Sequence, residues 1–336
     1  MNILVTGGSG FIGTNLVTDL LSKGHGVTIY DKKLSETYPD ICTVGDIRDK
    51  EKLTRSMRGI DAVYHLAAEH RDDVQPVSLY YEVNVGGAKN IVYALKKNGV
   101  NRLIFTSTVA VYGLNSGGPN ENSPVNPFND YGKSKYKAET IFNDWAASDP
   151  TPCMIIVRPT VIFGEKNRGN VYNLLHQLSS GRFIKVGKGT NRKSMGYVLN
   201  LTSFLSNLLN TGPGRFVYNY ADKPDLSMNE LIEVFHHTMG ENHQKNFNIP
   251  YAVGLMGGYC YDILAKITGK TYPVSSIRIK KFCSDTVINT DKLQQTGFVP
   301  TYTLAEGLKR MIKIEFVTAG VQSSKVHGSR LKRDKD

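Results

Sequence analysis

The opening thirteen residues, MNILVTGGSGFIG, constrain the fold more tightly than any other stretch of this 336-residue chain. An apolar run at 3–6 passes through Gly7, Gly10 and Gly13 into a segment with helical periodicity. Three glycines at this spacing have separate physical jobs: a tight turn, close approach of backbone to a pyrophosphate, and close packing of helix on strand. The N–H groups of Phe11, Ile12 and Gly13, at the positive end of that helix, can then hold phosphates. Asp31 follows Gly13 by 18 positions, at the end of a second apolar run. A carboxylate there accepts hydrogen bonds from ribose hydroxyls and repels a 2′-phosphate, which favours NAD. Lys32 and Lys33 could meet a 2′-phosphate, so NADP stays open.

The next 150 residues repeat the alternation. Short β-branched runs at 27–30, 62–66, 103–107 and 154–158 read as buried parallel strands. Longer amphipathic runs at 10–22, 50–57, 80–97 and 131–147 read as helices between them. This is the pattern of an α/β fold, a Rossmann-type doubly wound parallel sheet, here with a smaller C-terminal substrate-binding lobe. The expected division is a Rossmann domain over 1–163, with 195–221 returning to it, a lobe from 164–194 and 222–318, and a basic disordered tail at 321–336.

Composition narrows the class. With 40% hydrophobic and 21% charged residues the chain is an ordinary globular protein, and a net charge of +11 suits anionic small molecules such as nucleotides. Cys42, Cys153, Cys260 and Cys283 are scattered without metal spacing, fitting free thiols in a cytoplasmic protein and no metal site. The N-terminus lacks the basic and cleavage features of a signal peptide. The most apolar stretch, 249–267, is broken by Gly254, Gly257, Gly258, Asp262 and Lys266, so it reads as a packed helix rather than a spanning one, with a monotopic contact left open. His236 and His237 sit in an amphipathic run and read as helix surface, and the dispersed tyrosines carry no nucleic-acid signature.

The chemistry points to Tyr131 and Lys135, one helical turn apart in YGKSK. Tyrosine is a poor base near neutrality, with an ordinary pKa of about 10. An adjacent ammonium and a positive nicotinamide favour the phenolate, and a drop of about three units needs roughly 4 kcal/mol. Upstream lies TSTVAVYG, with Thr106 and Thr108.

Together GGSGFIG, Asp31, GDIRD, HLAA, Asn84, TSTVAVYG, YGKSK and RPTVIFG, in this order, resemble the extended short-chain dehydrogenases/reductases, also called the NAD-dependent epimerase/dehydratase family. The resemblance covers about the first 320 residues. It implies Thr108 as the hydroxyl that binds the reacting oxygen, with Tyr131 and Lys135 completing the catalytic set. It implies Asp46 and Ile47 beside the adenine, and Leu66, Ala67, Ala68, Thr106 and Pro159 along the cofactor. Asn84 is a candidate for substrate or structure. In the lobe, Asn170, Arg192 and Arg278, with Lys193 beside them, are candidate partners of a substrate diphosphate.

The residues after Thr108 select among reactions. Dehydratases of this family carry an Asp-Glu pair there and decarboxylases a Glu, whereas Val109 and Ala110 move no protons. The resemblance therefore implies a nucleotide-sugar C4-epimerase: oxidation at C4, a 4-keto sugar that turns over in the site, and reduction from the other face. A dehydrogenase or reductase of a sugar or hydroxysteroid-like alcohol needs the same residues, and a non-catalytic NAD(H) sensor is the reading from another class. Family habit also implies a homodimer through the Tyr131 helix.

Overall fold

The computed structural model describes residues 1–71, 74–114, 117–149, 151–181, 183–240, 247–270, 272 and 274–318; the basic tail lies outside the described residues. The chain begins with β1 (Asn2–Thr6), α1 (Phe11–Ser22), β2 (Gly26–Asp31), β3 (Cys42–Val44), α2 (Lys50–Ser56), β4 (Ala62–His65) and α3 (Ser78–Tyr80). A π-helical segment (Tyr81–Gly86), α4 (Gly87–Asn98), β5 (Arg102–Thr106), a 3₁₀ turn (Val109–Tyr112), α5 (Asp130–Ala147) and β6 (Cys153–Pro159) follow. Next come β7 (Val161–Phe163), α6 (Asn170–Ser179), β8 (Ile184–Val186), β9 (Arg192–Tyr197), α7 (Val198–Asn207), β10 (Gly214–Tyr220) and β11 (Asp222–Ser227). The last elements are α8 (Met228–Met239), β12 (Phe247–Ile249), α9 (Tyr251–Thr268), α10 (Ser276–Cys283), α11 (Asp291–Gln294) and α12 (Leu304–Ile312).

Two compact units form. The first takes Met1–Ile162, Val198–Ala221 and Ile288–Thr301; the second takes Phe163–Tyr197, Asp222–Val287 and the chain from Tyr302. The return of Ile288–Thr301 to the first unit was not among the expectations, because this stretch has little periodic signal. It joins through Ile288, buried with Val111 and Tyr112, and through Leu293 and Phe298, which pack with Phe204 and its neighbours.

The first unit is a seven-stranded parallel sheet in the order β10-β6-β5-β4-β1-β2-β3. Alternation along β1 splits the core: Ile3 and Val5 face Leu16, Val17 and Leu20 of α1 and Phe204 of α7, while Leu4 faces Leu53, Ile91 and Phe142. Each such side chain, removed from water, contributes about 1.5–3 kcal/mol. Burial on both faces is why these strands read as continuous apolar runs. The short edge strand β3 escaped the sequence reading because none of its three residues is fully buried. The helix expected over 80–97 is also not uniform: the π-helical segment precedes α4 and places Asn84 in the interior.

One polar network crosses this apolar interior. Arg158 on β6 donates from Nε and Nη2 to the two carboxylate oxygens of Glu139 on α5, at 3.0 and 2.6 Å. Its Nη1 donates to the Tyr112 hydroxyl at 2.8 Å, which in turn donates to Asn219 Oδ1 on β10 at 2.7 Å. Both charged side chains are nearly inaccessible, at 6% and 1%. The Asn219 N–H donates to Glu121 Oε1, and its amide N–H₂ reaches the Pro119 and Asn289 carbonyls.

In the second unit, β8 and β12 pair in parallel and β9 and β11 antiparallel. Capping boxes, Ser227 with Glu230 and Thr303 with Glu306, start α8 and α12. His236 is buried in α8 and its ring meets Phe235 edge-on, correcting its expected surface position; only His237 is exposed.

Removing one partner of a buried ion pair strands the other charge. Glu139→Ala is therefore expected to lower the unfolding free energy by about 3–5 kcal/mol, and Glu139→Leu with Arg158→Met to recover most of it. Urea denaturation of the three proteins measures this.

Candidate active site

The site begins where the strand order reverses, between β1 and β4, the place where doubly wound sheets leave a crevice. Gly7, with φ of 74°, turns the chain; a Cβ on it would sit 2.6 Å from the Ala67 nitrogen, so the glycine loop lies directly against Leu66 and Ala67. A Cβ on Gly13 would fall 2.3 Å from the Gly7 carbonyl oxygen, which sets α1 tight against β1. Gly10 precedes α1 with no side-chain cap, leaving the first-turn N–H groups to an outside acceptor. Gly7 thus makes the turn and Gly13 the close helix packing.

Asp31 closes β2, and its carboxylate steadies the glycine loop by accepting the N–H groups of Ser9 at 3.0 Å and Lys33 at 3.1 Å. Each oxygen keeps lone-pair capacity for ribose hydroxyls. Lys32 pairs with Glu69 at 3.6 Å, which opposes its use on a 2′-phosphate. Asp46 is gripped by Arg48 through Nε at 3.0 Å and Nη2 at 2.7 Å, and that guanidinium holds its carboxyl below the usual range. Arg48 also reaches Glu82 at 3.3 Å; the sequence reading passed over this residue. The Ile47 side chain is buried against Gly87 of α4, and its carbonyl accepts from Asn90.

Below the nicotinamide end of such a crevice lie the ends of β4 and β5. Thr106 Oγ1 donates to the His65 carbonyl at 3.3 Å. His65 is buried, bonded to Thr6 Oγ1 at 2.8 Å through Nδ1, and stacked on Phe105. Burial, reinforced by the Lys135 charge, lowers its pKa to about 3, so the ring is neutral and structural. Ser107 Oγ is buried with no hydrogen-bond partner among the described residues. An open helix N-terminus, a cradle that side chains would fill and an orphaned hydroxyl together fit a dinucleotide.

Thr108 starts the 3₁₀ turn; its Oγ1 accepts the Ala110 N–H at 3.2 Å, which leaves the hydroxyl proton to donate elsewhere. Val109 and Ala110 follow within the turn, and Val109 packs on Val111 and Ile288. Helix α5 is capped by Asn129, whose Oδ1 accepts the Gly132 N–H at 2.9 Å. A Cβ on Gly132 would come 2.8 Å from the Ala110 carbonyl oxygen. This contact presses the start of α5, with Tyr131, onto the turn that begins at Thr108. Lys135, one turn on, is 2% exposed, with Nζ 4.1 Å from the centre of the Phe105 ring. Desolvation lowers its pKa to about 7, against a smaller opposing effect of Glu139. Pro159 ends β6 beside β10.

Asn84 is buried and its amide is bonded within the first unit. Its Oδ1 accepts the Glu69 N–H, and both amide hydrogens are used, on the Glu69 carbonyl at 3.0 Å and Ser134 Oγ at 2.9 Å. It ties the loop after β4 to the helix that carries Tyr131 and Lys135.

In the second unit, Asn170 is exposed at the start of α6. Arg192 donates to the Asp225 carbonyl at 2.6 Å and pairs with Glu230 at 3.5 Å, so the lobe itself already engages it. Lys193 is engaged too: its Nζ donates to the carbonyls of Lys281 and Ser284 at the end of α10, as a cation at a helix C-terminus should. Arg278 is exposed on α10 and donates to the Tyr272 carbonyl at 3.3 Å. A cavity of about 790 Å³ opens within this unit, lined by 187–191, Tyr251, Lys280 and Ser284. The GKGTN segment supplies its wall, while the expected Arg192, Lys193 and Arg278 are not among its lining residues.

A lysine with a depressed pKa destabilises the folded chain when charged. Between pH of about 7 and its ordinary 10.5, the unfolded chain binds more protons than the folded one at Lys135, so this residue makes stability rise with pH over that window. In cofactor-free protein, the difference in unfolding free energy between wild type and Lys135→Met should therefore shift toward wild type as pH rises from 7 to 10.5. Denaturation at stepped pH measures it; a flat difference would mean the lysine is solvated.

Comparisons with known proteins agree with this geometry. Residues 3–221 match the family described as NAD dependent epimerase/dehydratase. The N-acetyl-alpha-D-glucosaminyl-diphospho-ditrans,octacis-undecaprenol 4-epimerase of Escherichia coli O157:H7 is 51% identical over 320 residues, covering 95% of this chain and 96% of the relative. A 2-alkyl-3-oxoalkanoate reductase of Stenotrophomonas maltophilia is 26% identical, covering 93% and 98%. Among solved structures, the NAD complex of Thermus thermophilus UDP-glucose 4-epimerase has a TM-score of 0.73 at 22% identity, covering 94% of this chain and 98% of that one, and shares the fold. The chain belongs to the NAD-dependent epimerase/dehydratase family, the extended short-chain dehydrogenases/reductases, as an epimerase that uses NAD.

Proposed function

We propose that the protein inverts C4 of a sugar carried on a diphosphate, with N-acetylglucosaminyl-diphospho-polyprenol as first choice and a nucleotide sugar as second. The observation that carries this reading is the 51% identity along nearly the whole chain to a 4-epimerase of that polyprenyl-linked sugar. The apolar Val109-Ala110 pair supports it, since elimination of water would need an acid and a base in that place.

In this reading Thr108 donates its hydroxyl proton to the sugar O4, and the Tyr131 phenolate takes the O4 proton and later returns it. Bound NAD supplies a hydride acceptor at C4 that can also give the hydride back. Lys135 favours the phenolate by its charge and holds the nicotinamide ribose. A homodimer in the cytoplasm is part of the same proposal, by family resemblance.

The reductase relative favours a second reading, net reduction of a lipid-like ketone. NMR of the enzyme with N-acetylglucosaminyl-diphospho-polyprenol, with UDP-N-acetylglucosamine, and with a 3-oxoalkanoate plus NADH separates them. A C4 epimer with no lasting NADH absorbance is expected from one of the first two, and loss of NADH only with the oxoacid would overturn the proposal. Tyr131→Phe should lower turnover by about 10²-fold or more while NAD binding survives, as expected for a proton-transferring group. Equal losses of binding and turnover would remove Tyr131 from that role.

A further inference from the structure

Helix α9 of the second unit places its apolar side chains on the outside. Its inward side is made of glycines: a Cβ on Gly254 would lie 2.5 Å from Val186 Cγ1, and one on Gly258 would lie 2.8 Å from the Ser276 backbone. Asp262, on the same side, accepts the Ser276 N–H at 3.2 Å. The opposite side carries Val253, Met256, Ile263, Leu264 and Ile267 at helical spacing, exposed by 50, 64, 59, 40 and 77%. Small residues thus let α9 pack closely on β8 and α10, and the helix's large side chains are directed to solvent. Scattered exposed apolar residues are ordinary, but five along one side of one 18-residue helix form a contiguous stripe.

Charge identifies what the stripe meets. From 247 to 284 the sequence holds Lys266, Lys270, Arg278, Lys280 and Lys281 against Asp262 alone. Lys280 donates to the Tyr259 hydroxyl at 3.0 Å, which holds a cation at the edge of the stripe, and Lys266 lies on the same flank of the helix. An apolar stripe edged by cations is the arrangement of a helix that lies in the plane of an anionic bilayer surface. No helix among the described residues is long and apolar enough to cross a membrane, so the contact would be one of lying on.

We propose that the outer face of α9 docks the protein on an anionic lipid bilayer, with Val253, Met256, Ile263, Leu264 and Ile267 entering the headgroup boundary and Lys266 and Lys280 meeting lipid phosphates. Exposure and charge carry this inference, and it holds whichever sugar carrier the site takes.

The test is co-sedimentation of the full chain with vesicles of phosphatidylcholine, with and without about one-third phosphatidylglycerol. Wild type should pellet with the anionic vesicles and far less with the neutral ones. Met256→Ser with Ile263→Ser, and separately Met256→Glu with Ile263→Glu, should weaken pelleting about tenfold or more while circular dichroism and NAD binding stay as in wild type. Wild type left in the supernatant, or variants that pellet like wild type, would overturn the proposal. So would a wild-type dimer that both variants convert to monomers without any wild-type vesicle binding, since the stripe would then face a second copy. The vesicles contain no sugar substrate, so a failure here leaves the epimerase reading untouched, and a protein that pellets but epimerises nothing fails only that reading.

Discussion

The buried pair of Arg158 and Glu139 organises the catalytic half of the first unit. A guanidinium and a carboxylate removed from water must satisfy each other completely, and this geometry allows little freedom. Glu139 belongs to the helix that carries Tyr131 and Lys135, Arg158 to strand β6, next to the edge strand, and Tyr112 to the turn that starts at Thr108. Asn219 extends the chain of bonds to the edge strand β10 and to the loop at 119–121. The three residues read as catalytic thus sit on elements locked to a common set of polar contacts. A purely apolar interior of the same volume could be at least as stable, but it would hold α5 to the turn after Thr108 less specifically.

Against that rigid frame, the environment of Lys135 is set for chemistry rather than stability. It is a nearly inaccessible lysine over the Phe105 ring, which also stacks on the neutral His65, and it gains from any nearby anion. In the proposed reaction the Tyr131 phenolate is such an anion. Asn84 shows how closely support and chemistry adjoin: its amide joins the Glu69 loop to Ser134, one residue before the lysine.

Much of the site was legible in the linear sequence because its requirements are local. The three glycines, Asp31, and the Tyr131–Lys135 spacing each depend on neighbours within a few residues or one strand–turn–helix unit. Glycine positions with a positive φ or a near-zero gap leave a direct trace in residue type, as Gly7 and Gly13 do. Residues whose role depends on distant partners were not legible. Arg48 meets Glu82 across 34 positions, and Arg192 and Lys193 are engaged by groups 33 to 91 positions away. Read alone, Arg192 and Lys193 look like phosphate ligands; folded, each satisfies a carbonyl or carboxylate of its own unit.

The amino-acid sequence by itself determined the parallel Rossmann sheet, the glycine turn and the tyrosine–lysine spacing, because periodicity, glycine placement and helical spacing are properties of adjacent residues. Only tertiary structure decided which charges remain available, which polar groups are consumed in support, and which apolar residues face outward. The glycine-broken segment at 249–267 illustrates the division. The order of its residues predicts a helix, whereas the inward turn of Gly254 and Gly258, and with it the exposure of Met256 and Ile263, depends on β8 and α10 packing against one side. Burial is set by what lies across the gap, and a linear sequence does not contain that distance.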